Sequence, residues 1–184
     1  MDALQPWVPP GTAELPPTLP GYERVERYVD AVTGRPMARL KPGEIYVSRE
    51  DEWLSTTVGS CVAVCLRDAR GRVGGMNHVM LPGAPPAGDG QPGRYAGFAM
   101  PALIRALRRQ APSGMAIEAR IYGGASAMAA SHAGERNLEV VRHALQQAGI
   151  ARVDEDVGGD VVRRVMFHPH SGQVVLKVQA MRQE

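Results

Sequence analysis

Through CVAVCLR at 61–67 the side chains alternate: Val62, Val64 and Leu66 share one side, and Cys61, Ala63 and Cys65 share the other. A period of two over this run predicts a strand. DARG supplies a turn, and RVGGMNHVML at 72–81 returns as a second strand. EIYVS at 44–48 predicts a short strand ahead of the pair, followed by a polar turn at SREDEW. The helical period enters with Met100, Leu103, Ile104 and Leu107, where Pro101 suits the first helical position. AIEARIYGGAS predicts a strand over 116–122 that ends in a glycine turn. Leu138, Val141 and Leu145 form the stripe of a second helix over roughly 137–148, capped by Gly149. Two last strands, 161–167 and 173–179, are joined by HPHSG as a hairpin. Strands with two helices between them predict an α/β chain, a sheet layer covered by helices.

Proline changes the picture at two places. Six of the first 24 residues are proline, which denies that stretch a helix or a central strand. It predicts an extended or flexible arm over 1–42, with Trp7 free to dock, ahead of a folded body over 43–184. PGAPPAGDGQPGR at 82–94 holds four prolines and four glycines, and a loop of that length predicts a rim or lid.

Composition mainly excludes. A chain of 184 residues with 44% apolar content fits one core-forming domain. Lys and Arg number 21 against 19 Asp and Glu, a net charge of +2 with no dense basic block, which speaks against a nucleic-acid partner. No apolar run is long enough to span a membrane, and the start is not expected to act as a secretory signal. Two cysteines make no disulfide scaffold.

One of those cysteines is the leading candidate for chemistry. With the turn centred between Ala69 and Arg70, Leu66 faces Val73, Val62 faces Asn77 and Cys61 faces His78, their Cβ atoms about 5 Å apart. A thiol beside an imidazole is a nucleophile with its base. Gly59 and Ser60 leave space around the sulfur, and the backbone N–H groups of Gly59, Ser60 and Cys61 are candidates for an oxyanion hole. Cys65 lies four residues on, about 13 Å away along a straight strand, too far for a disulfide or adjacent metal ligands. It reads as core filling. His132, near a helix start, is expected to face a groove and His143 the exposed side of its helix; His168 and His170, flanking a proline in a turn, read as structural, and nothing in the sequence calls for a metal or cofactor.

GSCVAVCLRD at 59–68, GGMNHVMLP at 74–82, YAGFAMPALI at 95–104, YGGASAM at 122–128, GERN at 134–137, DVGGDVVRRVMF at 156–167 and SGQVVLKV at 171–178 stand in order. Together they resemble the CheD family, chemoreceptor glutamine deamidases of bacterial and archaeal chemotaxis, over about residues 43–179. The resemblance implies an α-β-β layered sandwich similar to the catalytic domain of cytotoxic necrotizing factors. It implies Cys61 as nucleophile and His78 as base. The family's third member, a threonine six residues before the cysteine, falls on Ser55, with Thr56 next in line as the alternative. The implied activity is conversion of receptor glutamines to glutamates through a cysteine thioester, with a methylesterase side activity, in the cytoplasm and without a cofactor. The implied partners are the cytoplasmic helical domain of chemoreceptors and a CheC-type phosphatase. The serine at 55 keeps a second reading open, a catalytically weak regulator that binds receptor or phosphatase. A cysteine hydrolase of other specificity is a third.

Overall fold

The computed structural model describes residues 14–110, 114–126 and 132–181, apart from the side chains of 152 and 153. Among these residues ten strands form two sheets. In the first, β1 (Glu26–Val29), β2 (Pro36–Arg39), β4 (Trp53–Val58), β9 (Val161–His168) and β10 (Gln173–Ala180) lie in that order. In the second the order is β3 (Ile45–Ser48), β6 (Gly74–Val79), β5 (Val62–Asp68), β7 (Ile117–Gly123) and β8 (Ala151–Val157). Two helices, α1 (Ala96–Gln110) and α2 (Ala133–Gln147), complete the fold.

The alternation in β5 sorts the layers. Val62, Val64 and Leu66 pack with Met100, Leu103 and Leu107 of α1 and Leu138, Val141 and Leu145 of α2. Ala63 and Cys65 face the other way, into a second core with Leu54, Val58, Val165 and Phe167 of the first sheet. The second sheet is therefore covered by helices on one face and by the first sheet on the other. Each of its central strands needs apolar side chains on both sides, which is why β5 is buried at every position but Arg67.

Several expectations require correction. The folded body does not begin near Gly43: β1 and β2 pair antiparallel within the first sheet, and β2 runs parallel to β4. Pro36 is tolerated because it opens its strand. Trp7 lies outside the described residues. The expected polar turn holds over 49–52, but its first residue, Ser48, ends β3, its last, Trp53, opens β4, and its Glu52 is fully buried. That carboxylate accepts from Tyr46 Oη at 2.8 Å, Ser48 Oγ at 2.6 Å and both Nε and Nη2 of Arg27 at 3.1 and 2.9 Å. A buried charge so fully paired ties β1 to β3, and so one sheet to the other. Helix α1 starts five residues before Pro101, which lies inside it. β8 was not foreseen. It is an edge strand reading ARVDEDV, and charges on an edge discourage pairing with other chains.

The register between β5 and β6 also differs from the expected one. Val62 pairs with Val79, Ala63 with His78 and Val64 with Asn77. The connection spans Ala69–Arg72, closed by Asp68 N–H to Val73 O at 3.0 Å, so it is two residues longer than a tight turn. His78 therefore faces Ala63, not Cys61. A slip of two preserves the side of the sheet, and Cys61 and His78 remain on the same face as diagonal neighbours.

Candidate active site

His78 is 3% exposed, held by the backbone on both sides: its N–H donates to Glu44 O at 3.1 Å and its carbonyl accepts from Gly43 at 2.9 Å. Its Nδ1 lies 2.7 Å from Thr56 Oγ1, and that hydroxyl is 2.9 Å from Leu40 O. A carbonyl only accepts, so the single hydroxyl proton goes to Leu40. Oγ1 must then accept from His78, which places the ring proton on Nδ1 and leaves Nε2 with its lone pair. Nε2 is buried and has no hydrogen-bond partner among the described residues. Burial pushes the imidazole down to about 4, so the ring is neutral at physiological pH.

The hydroxyl on the imidazole is thus Thr56's and not that of Ser55. Successive residues of a strand point to opposite faces. Leu54, Thr56 and Val58 turn toward the second sheet, while Ser55, although buried, turns away from His78. Thr56→Val, which keeps the branched shape and removes the hydroxyl, is expected to lower kcat about 10- to 100-fold, with Ser55→Ala near wild type. A steady-state comparison in which Ser55→Ala is the damaging change would reverse the assignment.

Cys61 lies just before β5, half-buried. Burial raises its thiol above the ordinary value, and its own backbone N–H beside the sulfur pulls the other way. At rest Cys61 is therefore a thiol and His78 a neutral imidazole, not an ion pair. The carbonyls around the sulfur are engaged: Gly59 O accepts from Ala125 N–H and Cys61 O from Gly124 N–H, each at 2.9 Å. Gly123 makes this approach possible. It has a φ of +108°, and a Cβ there would collide with Cys61 O. Cys65 is 1% exposed, its thiol pushed far up by burial in the core between the sheets. Both cysteines are free.

A cleft of about 420 Å³ reaches His78 and Thr56, with Arg39, Lys41, Pro42 and Arg164 among its walls. The loop at 82–94, expected as a wall, is outside this lining. Its Asp89 binds Arg94 at 3.2 Å. Three of the other four histidines have partners elsewhere. His168 contacts Asp51 at 2.7 Å and Ser171 at 2.8 Å, His170 donates to Arg49 O at 2.7 Å, and His132 meets Glu135 at 3.1 Å.

The profile of the family described as "CheD chemotactic sensory transduction" matches residues 80–178. A protein of Hahella chejuensis named "Probable chemoreceptor glutamine deamidase CheD" is 37% identical over 169 residues, covering 88% of this chain and 79% of its own length. The chain belongs to the CheD family. Proteins of the same printed name from Halorhodospira halophila and Burkholderia mallei are 36% and 42% identical over 167 and 156 residues. They cover 86% and 82% of this chain and 77% and 67% of their own lengths.

Two features of this CheD-family site escaped sequence reasoning. Leu40 contributes only a carbonyl, which leaves no mark in a sequence. Asn137 is fully buried, and its Nδ2 donates to Met80 O at 3.0 Å and Ser60 O at 3.4 Å. Its signal was there to read: with Val141 and Leu145 at i+4 and i+8, Asn137 is a polar residue on an apolar stripe.

Proposed function

We propose that this protein deamidates specific glutamine side chains of methyl-accepting chemoreceptors, with Cys61 as nucleophile, His78 as base and Thr56 orienting the imidazole. The observation that carries the reading is the buried, unpartnered Nε2 of His78, on the same sheet face as Cys61, with its tautomer set by the Leu40–Thr56 chain. The names of the relatives supply the substrate class.

In the proposed reaction, Nε2 takes the thiol proton as sulfur attacks the carboxamide carbon. The oxyanion is received by N–H groups of the Gly59–Cys61 run. A peptide N–H points away from the carbonyl of the same unit. With Gly59 O and Ser60 O both bonded into the body, the N–H groups of Ser60 and Cys61 are turned the other way. The imidazolium returns its proton to the leaving ammonia, and a thioester remains. Water then gives a proton to Nε2 and attacks the thioester carbon. The Cys61 sulfur leaves, recovers the proton and frees a glutamate. Hydrolysis of a glutamate methyl ester follows the same path with methanol as the leaving group, and belongs to the proposal as a side activity.

The proposal also includes a cytoplasmic setting, the helical cytoplasmic domain of receptors as partner, and a CheC-type phosphatase as a second one. No described helix is long and apolar enough to cross a membrane. The helix–sheet–sheet layering supports kinship with the cytotoxic necrotizing factor catalytic domain. The reading as a weak regulator rested on the serine at 55, and loses that motive with a threonine hydroxyl on His78.

The test is incubation with the cytoplasmic domain of a cognate chemoreceptor, with ammonia release and peptide mass spectrometry as readouts. Defined glutamines should become glutamates, one ammonia for each. A receptor left unchanged under conditions where another family member converts it would refute the reading.

A further inference from the structure

Asn137 interrupts the face that α2 turns to the second sheet, where Leu138, Val141 and Leu145 are otherwise apolar. A buried amide is costly unless it is hydrogen-bonded. Its Nδ2 meets that need twice, at Met80 O and Ser60 O, while its Oδ1 stays buried without a partner. An aliphatic residue would fill the same place without the unpaired Oδ1, so the asparagine is distinguished by the two bonds it donates.

Those bonds end at informative places. Ser60 directly precedes Cys61, and Met80 follows β6 two residues after His78. The neighbouring carbonyls, Gly59 O and Cys61 O, are bonded to the backbone of the 124–125 turn. Ser60 O is bonded to a side chain that also grips the strand carrying His78. One amide nitrogen thus joins the segment of the thiol to the segment of the imidazole, from a helix that carries neither.

We propose that Asn137 is a positioning residue that sets the separation of Cys61 and His78. The inference rests on the reading of these two residues as nucleophile and base. It adds a third element, α2, to a site otherwise built from strands and their connections. Loss of the amide frees Ser60 O and Met80 O from each other, and the thiol drifts from Nε2 without any change to either reacting group.

The test follows alkylation of Cys61 by iodoacetamide from mildly acidic to alkaline pH, with peptide mass analysis separating Cys61 from Cys65. Wild type, His78→Ala, Asn137→Ala and the double variant are compared, each with its melting temperature. Wild type should react at neutral pH with help from the imidazole, and His78→Ala only as the thiolate forms at alkaline pH. Asn137→Ala should lose about 10- to 100-fold at neutral pH and take on the shape of the His78→Ala profile. In the His78→Ala background it should cost nothing further, because two residues acting through one interaction are not additive. A wild-type profile for Asn137→Ala, whatever its melting temperature, would overturn the proposal, as would equal losses in both backgrounds. If the alanine variant does not fold, Asn137→Asp preserves the shape. Burial keeps that acid neutral, with one O–H in place of two N–H groups, and an intermediate rate is expected. A wild-type rate and profile for Asn137→Asp would count against the role. Identical profiles for wild type and His78→Ala would remove the pair itself, and with it the role of Asn137. That failure is distinct from one confined to the Asn137 variants.

Discussion

A Cys61→Ala variant, incubated with a receptor domain that wild type converts, will leave the glutamines intact. The expected loss is on the order of 10⁴-fold or more, down to the rate without enzyme. No other thiol can stand in, because Cys65 is four residues further along and enclosed between the sheets. Burial in the core also pushes its thiol far up. The alanine should disturb the fold little, since Cys61 is half-buried and outside the strand ladders. Peptide mass spectrometry checks the result, with circular dichroism as the control for folding. Conversion at the wild-type rate would mean that the chemistry lies elsewhere.

His78→Ala should cost about 10²- to 10⁴-fold in kcat/KM, the usual span for removing a general acid–base. The more diagnostic measurement is pH. With the imidazole held to about 4 by burial, its base form persists well below neutrality. The acid limb of the wild-type rate should therefore fall near pH 4. A limb near 6.5, the ordinary histidine value, would contradict the burial argument. Stability carries the same signature. In the unfolded chain the ring takes a proton as pH falls through 6.5, whereas the folded ring refuses it until about 4. Across that window the unfolded state binds more protons, so folding loses stability as pH drops, by up to about 3 kcal/mol from this group. Above the window the contribution is fully restored. Urea midpoints at neutral pH and near pH 4.5 should therefore fall further for wild type than for His78→Ala.

The legible parts of this molecule are those where one physical pattern dominates. β5 alternates because both its faces are buried, and the alternation placed Cys61 on the correct side. The stripes of α1 and α2 and the β9–β10 hairpin follow from equally strong periodicities. The register of β5 on β6 was less accessible. It depends on a connection of four residues rather than two, and the run of Arg and Gly there is compatible with either. The choice between Ser55 and Thr56 depends on the phase of β4, whose polar STT run gives no apolar alternation to set it. β1 and β2 were hidden by the prolines around them, and β8 by the charges its edge position favours. Glu52 reads as a surface residue until Arg27, Tyr46 and Ser48 are brought around it from distant parts of the chain.

The imidazole and the hydroxyl that orients it belong to different layers. His78 is on β6 of the second sheet, whereas Thr56 and Leu40 belong to the first, and a single 2.7 Å contact joins them. Slippage between layers acts first on a short, directional bond and only later on the diffuse apolar packing of Phe167, Leu54 and Met76 around it. The imidazole is therefore a strain gauge for the seam between the sheets. A shift of the first sheet against the second would turn the ring and misplace its lone pair.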